Sequence, residues 1–273
     1  MTLPLVSVII NTKNEEKNIT ACLESIKKQD YPAENIEIVI VDHPKTSDNT
    51  RDLAKKYTDK IFVHGFERSG QRNFGAKTAT GKYLLFIDAD MRLSSKVISL
   101  GVKLFNTGGW RGLYIPEIIL GRGFWGKVRN FERSFYDGTV VDAVRFVRKE
   151  DFLKVKGFDE SLTGPEDWDF DKKVRSLGKT ATIKSPLHHN ETEFNVVNYL
   201  RKKSYYGGSF EKYVKKWGKN DPDIKKQFSF WYRYFGVFLE NGKWKKLLAH
   251  PVLTLGVYFL RILVGAGYIK NQK

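Results

Sequence analysis

Gly81-Lys82-Tyr83-Leu84-Leu85-Phe86-Ile87-Asp88-Ala89-Asp90 runs through an unbroken apolar stretch, Tyr83–Ile87, and stops on two acids one residue apart. An apolar run this short, without polar alternation, predicts a strand over Lys82–Ile87 covered on both faces. The acids then stand at its carboxyl end. Two similar runs precede it, Val6–Asn11 and Ile36–Asp42, with a weaker one at Lys60–His64. Helical spacing fills the gaps: Glu15–Gln29 (Ile19, Cys22, Leu23, Ile26), Asp48–Tyr57 and Gly70–Ala79. This β-α-β-α order predicts an α/β fold, with a doubly wound, mostly parallel sheet flanked by helices. Its ligand crevice lies at the carboxyl ends of the strands. Asp42, Asp88 and Asp90 all fall there.

Beyond Ser94 the pattern loosens. Val97–Phe105 reads as a helix, Gly108–Gly126 as loop and short strands, and Val141–Val147 as a strand. Asp167–Leu177 reads as a helix and Thr180–Ile183 as a last short strand. From Val196 the chain is helical, basic and aromatic. The expected organisation is a catalytic domain at 1–194 and a helical extension at 195–273. The 273 residues, 41% hydrophobic and 29% charged, form a globular composition. A single cysteine, Cys22, excludes an intrachain disulfide framework, and its apolar neighbours predict a buried inert thiol. With no basic segment ahead of the first apolar run, no signal peptide is predicted. A reducing, cytoplasmic setting is expected.

Two acid groups carry the chemistry. Asp88 and Asp90 lie together on a rigid strand edge, where one carboxylate can ligate a hard cation while the other meets ribose. A triplet of this kind also caps helices after strands. Glu166-Asp167-Trp168-Asp169 follows Gly157-Phe158-Asp159-Glu160 and opens a helix. Acids there suit the helix dipole, and equally suit a general base for an attacking hydroxyl. Trp168 offers an apolar face to a sugar ring, or fills core.

Taken in order, the motifs resemble family 2 glycosyltransferases, which have the GT-A fold. The resemblance runs from Ser7 to about His189. It rests on Ser7-Val8-Ile9-Ile10-Asn11-Thr12-Lys13-Asn14-Glu15, Cys22-Leu23-Glu24-Ser25-Ile26 with Tyr31-Pro32, Val41-Asp42, and Arg72-Asn73-Phe74-Gly75. The strand quoted above, Gly157-Phe158-Asp159-Glu160 and Glu166-Asp167 complete it. The resemblance implies that Asn14 and Glu15 lie at the nucleotide and that Asp42 faces its base. Arg72 or Asn73 would approach ribose and diphosphate, Asp88 would assist ribose binding, and Asp90 would ligate Mg²⁺ or Mn²⁺. Asp167 would be the catalytic base, with Glu166 near acceptor or donor sugar. The reaction implied is a single inverting displacement from a nucleotide-sugar donor. His188 or His189 would complete the metal site or touch the diphosphate. Arg201 and Lys202 either clamp the departing diphosphate or form a solvated basic face. The family loop Asp-Asp-Gly-Ser-x-Asp-x-Thr is replaced by Asp42-His43-Pro44-Lys45-Thr46-Ser47-Asp48-Asn49-Thr50, one residue longer and without the glycine. Asp48 there caps the next helix or touches ligand.

Net charge is +16, and residues 195–273 hold 16 Lys and Arg against 4 Asp and Glu. That segment also carries the Phe228–Tyr234 aromatics and the uncharged run Leu247–Leu260. Arg261 interrupts before Ile262–Ile269. The mixture predicts helices lying in the headgroup layer of an anionic membrane, on its cytoplasmic face, without crossing it. Packing on the catalytic domain or on a partner subunit is the plainer reading. A nucleic-acid-binding protein would explain the charge but not acids at successive strand ends, and no nucleic-acid partner is expected. A nucleotidyltransferase would place a Gly-rich, Arg-containing loop where Asn11–Glu15 stands. Polyprenyl-phosphate glycosyltransferases typically continue the acid motif with Leu-Gln, where this chain has Met91-Arg92. A glycan or lipid-linked saccharide is therefore the expected acceptor.

Overall fold

The computed structural model describes residues 3–270, without side chains at 204, 241 and 267–270. The outermost residues of the two expected domains, and the Ile269 side chain of the tail's apolar run, lie outside the described residues. The first elements are β1 (Val6–Thr12), α1 (Ile19–Lys27), β2 (Ile36–Asp42), α2 (Thr50–Ala54), β3 (Ile61–Val63), α3 (Arg68–Thr78) and β4 (Tyr83–Asp88). There follow β5 (Met91–Leu93), α4 (Val97–Gly108), β6 (Gly112–Tyr114), β7 (Glu117–Gly121), α5 (Gly123–Arg133), β8 (Phe146–Arg148) and α6 (Lys149–Lys154). Then come α7 (Glu166–Arg175), β9 (Thr180–Thr182), β10 (Leu187–Glu191), α8 (Val196–Gly207), α9 (Phe210–Trp217) and α10 (Pro222–Phe228). A π-helical turn (Tyr232–Gly236) leads into α11 (Val237–Leu239), α12 (Trp244–Ala249) and α13 (Pro251–Lys270).

Contacts divide the chain into two units. The first holds 1–117, 143–160 and 166–189; the second holds 118–142, 161–165 and 190–273. In the first, seven strands form a mixed sheet in the order β3-β2-β1-β4-β8-β6-β9. β1 runs parallel to both β2 and β4, and β8 lies antiparallel between β4 and β6. The central strands are apolar throughout because helices cover both faces. Ile19, Cys22, Leu23 and Ile26 of α1 join one core with Val8, Ile10 and Leu85. Ala76 of α3 joins the other with Ile9, Val41 and Phe86. Cys22 is fully buried, and burial pushes its thiol far above the ordinary range, as an inert thiol requires.

Helix α3 packs with its polar residues inward, the reverse of an ordinary amphipathic helix. Gln71 Nε2 donates to the backbone oxygens of Thr12 (3.0 Å) and Val41 (2.9 Å), satisfying carbonyls where β1 and β2 end. Gly75 lets this helix press on the sheet: a Cβ there would lie 2.6 Å from Ile9 Cγ2 and 3.1 Å from Val41 Cγ2.

In the second unit, Val128, Phe131 and Phe135 pack with Phe238, Val257 and Leu260. Residues 108–126 hold the loop and short strands expected, β6 and β7, until α5 begins at Gly123. β7 turns directly into α5 because Gly121 and Gly126 touch backbone to backbone, where either Cβ would meet the other glycine's Cα within 2.6 Å. The strand expected at 141–147 is confined to Phe146–Arg148. Among the described residues no helix is long and apolar enough to cross a membrane.

Replacing Gly75 with alanine should cost about 1–3 kcal/mol, because Ile9 and Val41 belong to strands that cannot withdraw. Urea unfolding measures this. A wild-type midpoint would show that α3 has room to lift from the sheet.

Candidate active site

Strand register brings the carboxyl ends together: Asn11 of β1 lies beside Asp88 of β4, and Thr12 beside Asp42 of β2. Above them Arg72, 1% exposed, reaches out of α3. Its Nη2 meets Asp88 Oδ1 at 2.9 Å, its Nη1 meets Asp167 Oδ1 at 2.6 Å, and its Nε donates to Asn11 Oδ1 at 3.2 Å. One guanidinium thus joins the strand-end acid to the first turn of α7. Burial works against the Asp88 charge, yet Arg72 and then Arg145 outweigh it and hold the carboxyl far below its usual range. Glu166, beside Asp167, is buried against Arg68 Nη2 at 2.8 Å. Burial and the Asp167 charge raise its carboxyl against the pull of Arg68 and Arg72.

Asp90 sits at the turn into β5. Its Oδ2 lies 3.1 Å from His189 Nε2, and His189 Nδ1 lies 2.8 Å from Glu117 Oε1. Burial opposes charge on this imidazole, but hydrogen bonds to Asp90 and Glu117 push its pKa up to about 10. The ring therefore donates to both carboxylates. Glu117 is in turn held by Arg145 Nη2 at 3.4 Å. Asp90 Oδ1 is buried with no hydrogen-bond partner among the described residues. A carboxylate oxygen and an imidazole nitrogen side by side, one oxygen unsatisfied, fit a divalent cation as two of its ligands. Among the described residues no set of three His, Cys, Asp or Glu side chains is placed to hold one alone. The donors fit an ion that brings further oxygens with it.

The histidines do not follow the last short strand; they lie within another, β10, which pairs antiparallel with β5. His189 stands opposite Met91 and His188 opposite Arg92. Alternation along a strand sends their side chains to opposite faces, so only His189 joins Asp90.

Two residues given to the nucleotide, Asp42 and Asn73, are buried, while Asn14 is exposed. Asp42 is 0% exposed, and its oxygens accept from Thr12 Oγ1 (2.6 Å), Thr46 Oγ1 (2.8 Å) and Arg51 Nε (2.5 Å). It holds the long loop. Asn73 brackets Phe158, donating to its oxygen and accepting from its N–H, both at 2.9 Å, and also donates to Glu160 Oε1. It staples the Gly157–Glu160 turn to α3. Asn14, with φ 54°, accepts from the Ser47 N–H at 2.9 Å. Asp48 accepts from Thr50 N–H and Oγ1 at the start of α2, the capping role. Trp168 is half-buried on α7. Arg201 and Lys202 are exposed on α8 in the second unit. Arg145, Arg68 and Glu117 were not among the expected site residues; lone charges outside any motif gave no signal.

Glu15 stays close to the acids, its Oε2 accepting from Asn18 Nδ2 at 2.8 Å. Burial, then the Asp90, Asp88 and Asp48 charges, raise its pKa from 4.5 to about 7. Between those pH values the unfolded chain has lost a proton that the folded chain keeps, so this group lowers stability as pH rises through the window. Glu15→Gln should therefore stabilise the protein by about 2 kcal/mol at pH 8, allowing for partial exposure, and by nothing near pH 4. Urea midpoints of both proteins across this range test it; a pH-independent difference would contradict the assignment.

Residues 7–148, just over half the chain, match Glycosyl transferase family 2. The poly(ribitol-phosphate) beta-N-acetylglucosaminyltransferase TarS of Staphylococcus aureus is 36% identical over 99 residues, 34% of this chain and 17% of that protein. The glycosyltransferase AglE of Haloferax volcanii is 30% identical over 115 residues, 40% of this chain and 38% of its own. The chain thus spans well under half the length of these relatives. A dolichyl N-acetyl-alpha-D-glucosaminyl phosphate 3-beta-D-2,3-diacetamido-2,3-dideoxy-beta-D-glucuronosyltransferase of Methanococcus voltae is 26% identical over 239 residues, 75% of this chain and 72% of that protein. Among solved structures, a mannosyltransferase from Pyrobaculum calidifontis in complex with GDP-Man and Mn²⁺ superposes with a TM-score of 0.63 at 18% identity. It covers all of this chain and 82% of its own. S. aureus TarS 1–349 in complex with UDP-GlcNAc gives 0.58 at 18% identity, over 89% of this chain and 75% of its own. These structures share the fold, a mostly parallel sheet flanked by helices, and with the family match they show that the chain is a GT-A protein belonging to glycosyl transferase family 2.

Proposed function

We propose that the chain is a metal-dependent, inverting glycosyltransferase that moves a sugar from a nucleotide-sugar to a hydroxyl of a glycan or lipid-linked saccharide at a membrane surface. The observation that carries this reading is the Arg72 bridge, which places Asp88 of the strand-end pair and Asp167 of α7 on one guanidinium. Donor binding and proton removal then share a single rigid cluster. Asp167 accepts the proton of the acceptor hydroxyl as its oxygen bonds to the anomeric carbon, and the bond to the nucleoside diphosphate breaks on the opposite face. No enzyme nucleophile is needed. Asp90 and His189, the latter after losing its Nε2 proton, would hold Mg²⁺ or Mn²⁺, which when bound offsets the negative charge of the diphosphate. Glu117 orients His189 for that role. Glu15 is near enough to Asp88 and Asp90 to meet the ribose, whereas Asp42 and Asn73 act through the loops they brace.

Relatives support the reagents. A TarS structure is a complex with UDP-GlcNAc, and the Pyrobaculum structure holds GDP-Man and Mn²⁺. The M. voltae relative is named for a dolichyl-linked sugar phosphate, which favours a lipid-linked acceptor here.

Asp90→Ala should abolish metal-dependent binding of a nucleoside diphosphate while the circular dichroism spectrum stays unchanged. Calorimetric titration with Mn²⁺ present and absent reads it, and unaltered affinity would remove Asp90 from the metal. Asp167→Asn should lower kcat by about 10²–10⁴-fold with little change in donor affinity. Near-normal turnover would move the base to another carboxylate, Glu166 first.

A further inference from the structure

Arg261 is the one charged residue between Pro251 and Val264, and it turns inward. It is 7% exposed, with its guanidinium 4.3 Å above the Phe238 ring. Its nitrogens donate to Glu132 Oε1 at 3.3 Å and to the Tyr136 hydroxyl at 2.6 Å. Burial of Val257 and Leu260 fixes the same side of α13 against the second unit's core. The opposite side therefore carries no charge. Val252, Leu255, Phe259 and Ile262 line it at spacings of three and four, and Leu248 of α12 continues the line. These five are 52–73% exposed.

The ridge has aromatic flanks. Trp125 of α5 stacks on Phe259 at 5.9 Å, next to the exposed Phe124. On the other flank Phe235, packed near Tyr258, carries Trp231, itself 72% exposed. Ammonium groups border the ridge on α12, where Lys245 and Lys246 stand exposed beside Trp244. A patch this large and apolar on a protein surface marks something that covers it. We infer that the outer face of α12 and α13, with the flanking aromatics, is a docking surface for an anionic lipid bilayer.

Charge selects this occupant over a second copy of the chain. Residues 195–273 carry a net +12, and joining two copies through α13 would bring two such segments together. Anionic headgroups are attracted by the same charge. Exposed aliphatic residues on one helix face, with Trp and Lys beside them, are also the composition of a helix lying in the interface. The helix lies on the bilayer and does not span it. Docking requires no donor or metal, so it stands or falls apart from the catalytic reading.

Flotation of the full chain with vesicles tests it, using phosphatidylcholine alone and an equal mixture with phosphatidylglycerol. The wild type should float with the mixed vesicles, weaken as salt rises, and retain a residual apolar contribution at high salt. Leu255→Asp, at an exposed site that leaves the core intact, should lower binding by about ten-fold or more. Lys245→Glu should lower it by about five-fold or more on anionic vesicles only. Metal-dependent nucleoside diphosphate binding should be unchanged in both variants. Failure of the wild type to float at low salt, or equal flotation of Leu255→Asp, overturns the inference. So does a wild-type dimer in sedimentation that Leu255→Asp dissociates while vesicle binding is unaffected, because the ridge would then belong to a second copy.

Discussion

The buried guanidinium of Arg72 is the constraint on which the rest of the site depends. Two carboxylates from distant parts of the chain, Asp88 on β4 and Asp167 on α7, approach the same guanidinium through its two terminal nitrogens, so one cation offsets the repulsion between them. Removing one partner from such an arrangement strands charge away from water, which is far costlier than the pair's net contribution. The surrounding architecture holds Arg72 rigid. Gly75 brings α3 close to β1 and β2, Gln71 satisfies their terminal carbonyls, and Asn73 ties the helix to the Gly157–Glu160 turn that leads towards α7. The four buried polar residues of α3, Ser69, Gln71, Arg72 and Asn73, serve as a bonding framework rather than as apolar core.

A second charged group organises the opposite side of the metal candidate. Arg145 lies 4.0 Å from Asp88 and 3.4 Å from Glu117, and Glu117 holds the imidazole of His189 against Asp90. The two chains of contacts meet at the Asp88–Asp90 turn. Each of these two neighbouring acids has its own partner, Arg72 for Asp88 and the His189 ring for Asp90. The unsatisfied oxygen of Asp90 is the place where this compensation is incomplete.

Much of the first unit was legible because its strands are buried on both faces and read as unbroken apolar runs. Ile36–Asp42 was read to the residue, and β1 and β4 each within one residue at either end. The acids at strand ends followed from that reading. What escaped depends on partners remote in sequence. α5 was not read as a helix, because its apolar side is completed only by Phe238, Val257 and Leu260, more than a hundred residues later. β10, Leu187–Glu191, has a single apolar residue and is a strand only through its pairing with β5. Asp42 and Asn73 lie in motifs that suggest ligand contact, yet Asp42 bonds two threonine hydroxyls and Arg51, and Asn73 bonds the distant Phe158 backbone and Glu160. Arg261 read as an interruption of an apolar helix, whereas its placement towards Glu132 is what leaves the other face uncharged.

The central claim is that this cluster of acids and arginines handles a nucleotide-sugar together with a divalent cation. It is tested most directly by incubating the full chain with a panel of UDP-, GDP- and other nucleotide-sugars, with Mn²⁺ or with chelator, and measuring release of the nucleoside diphosphate. The account predicts slow hydrolysis of at least one donor that disappears on chelation. Release that is indifferent to the cation, or no binding and no release with any donor, would contradict it.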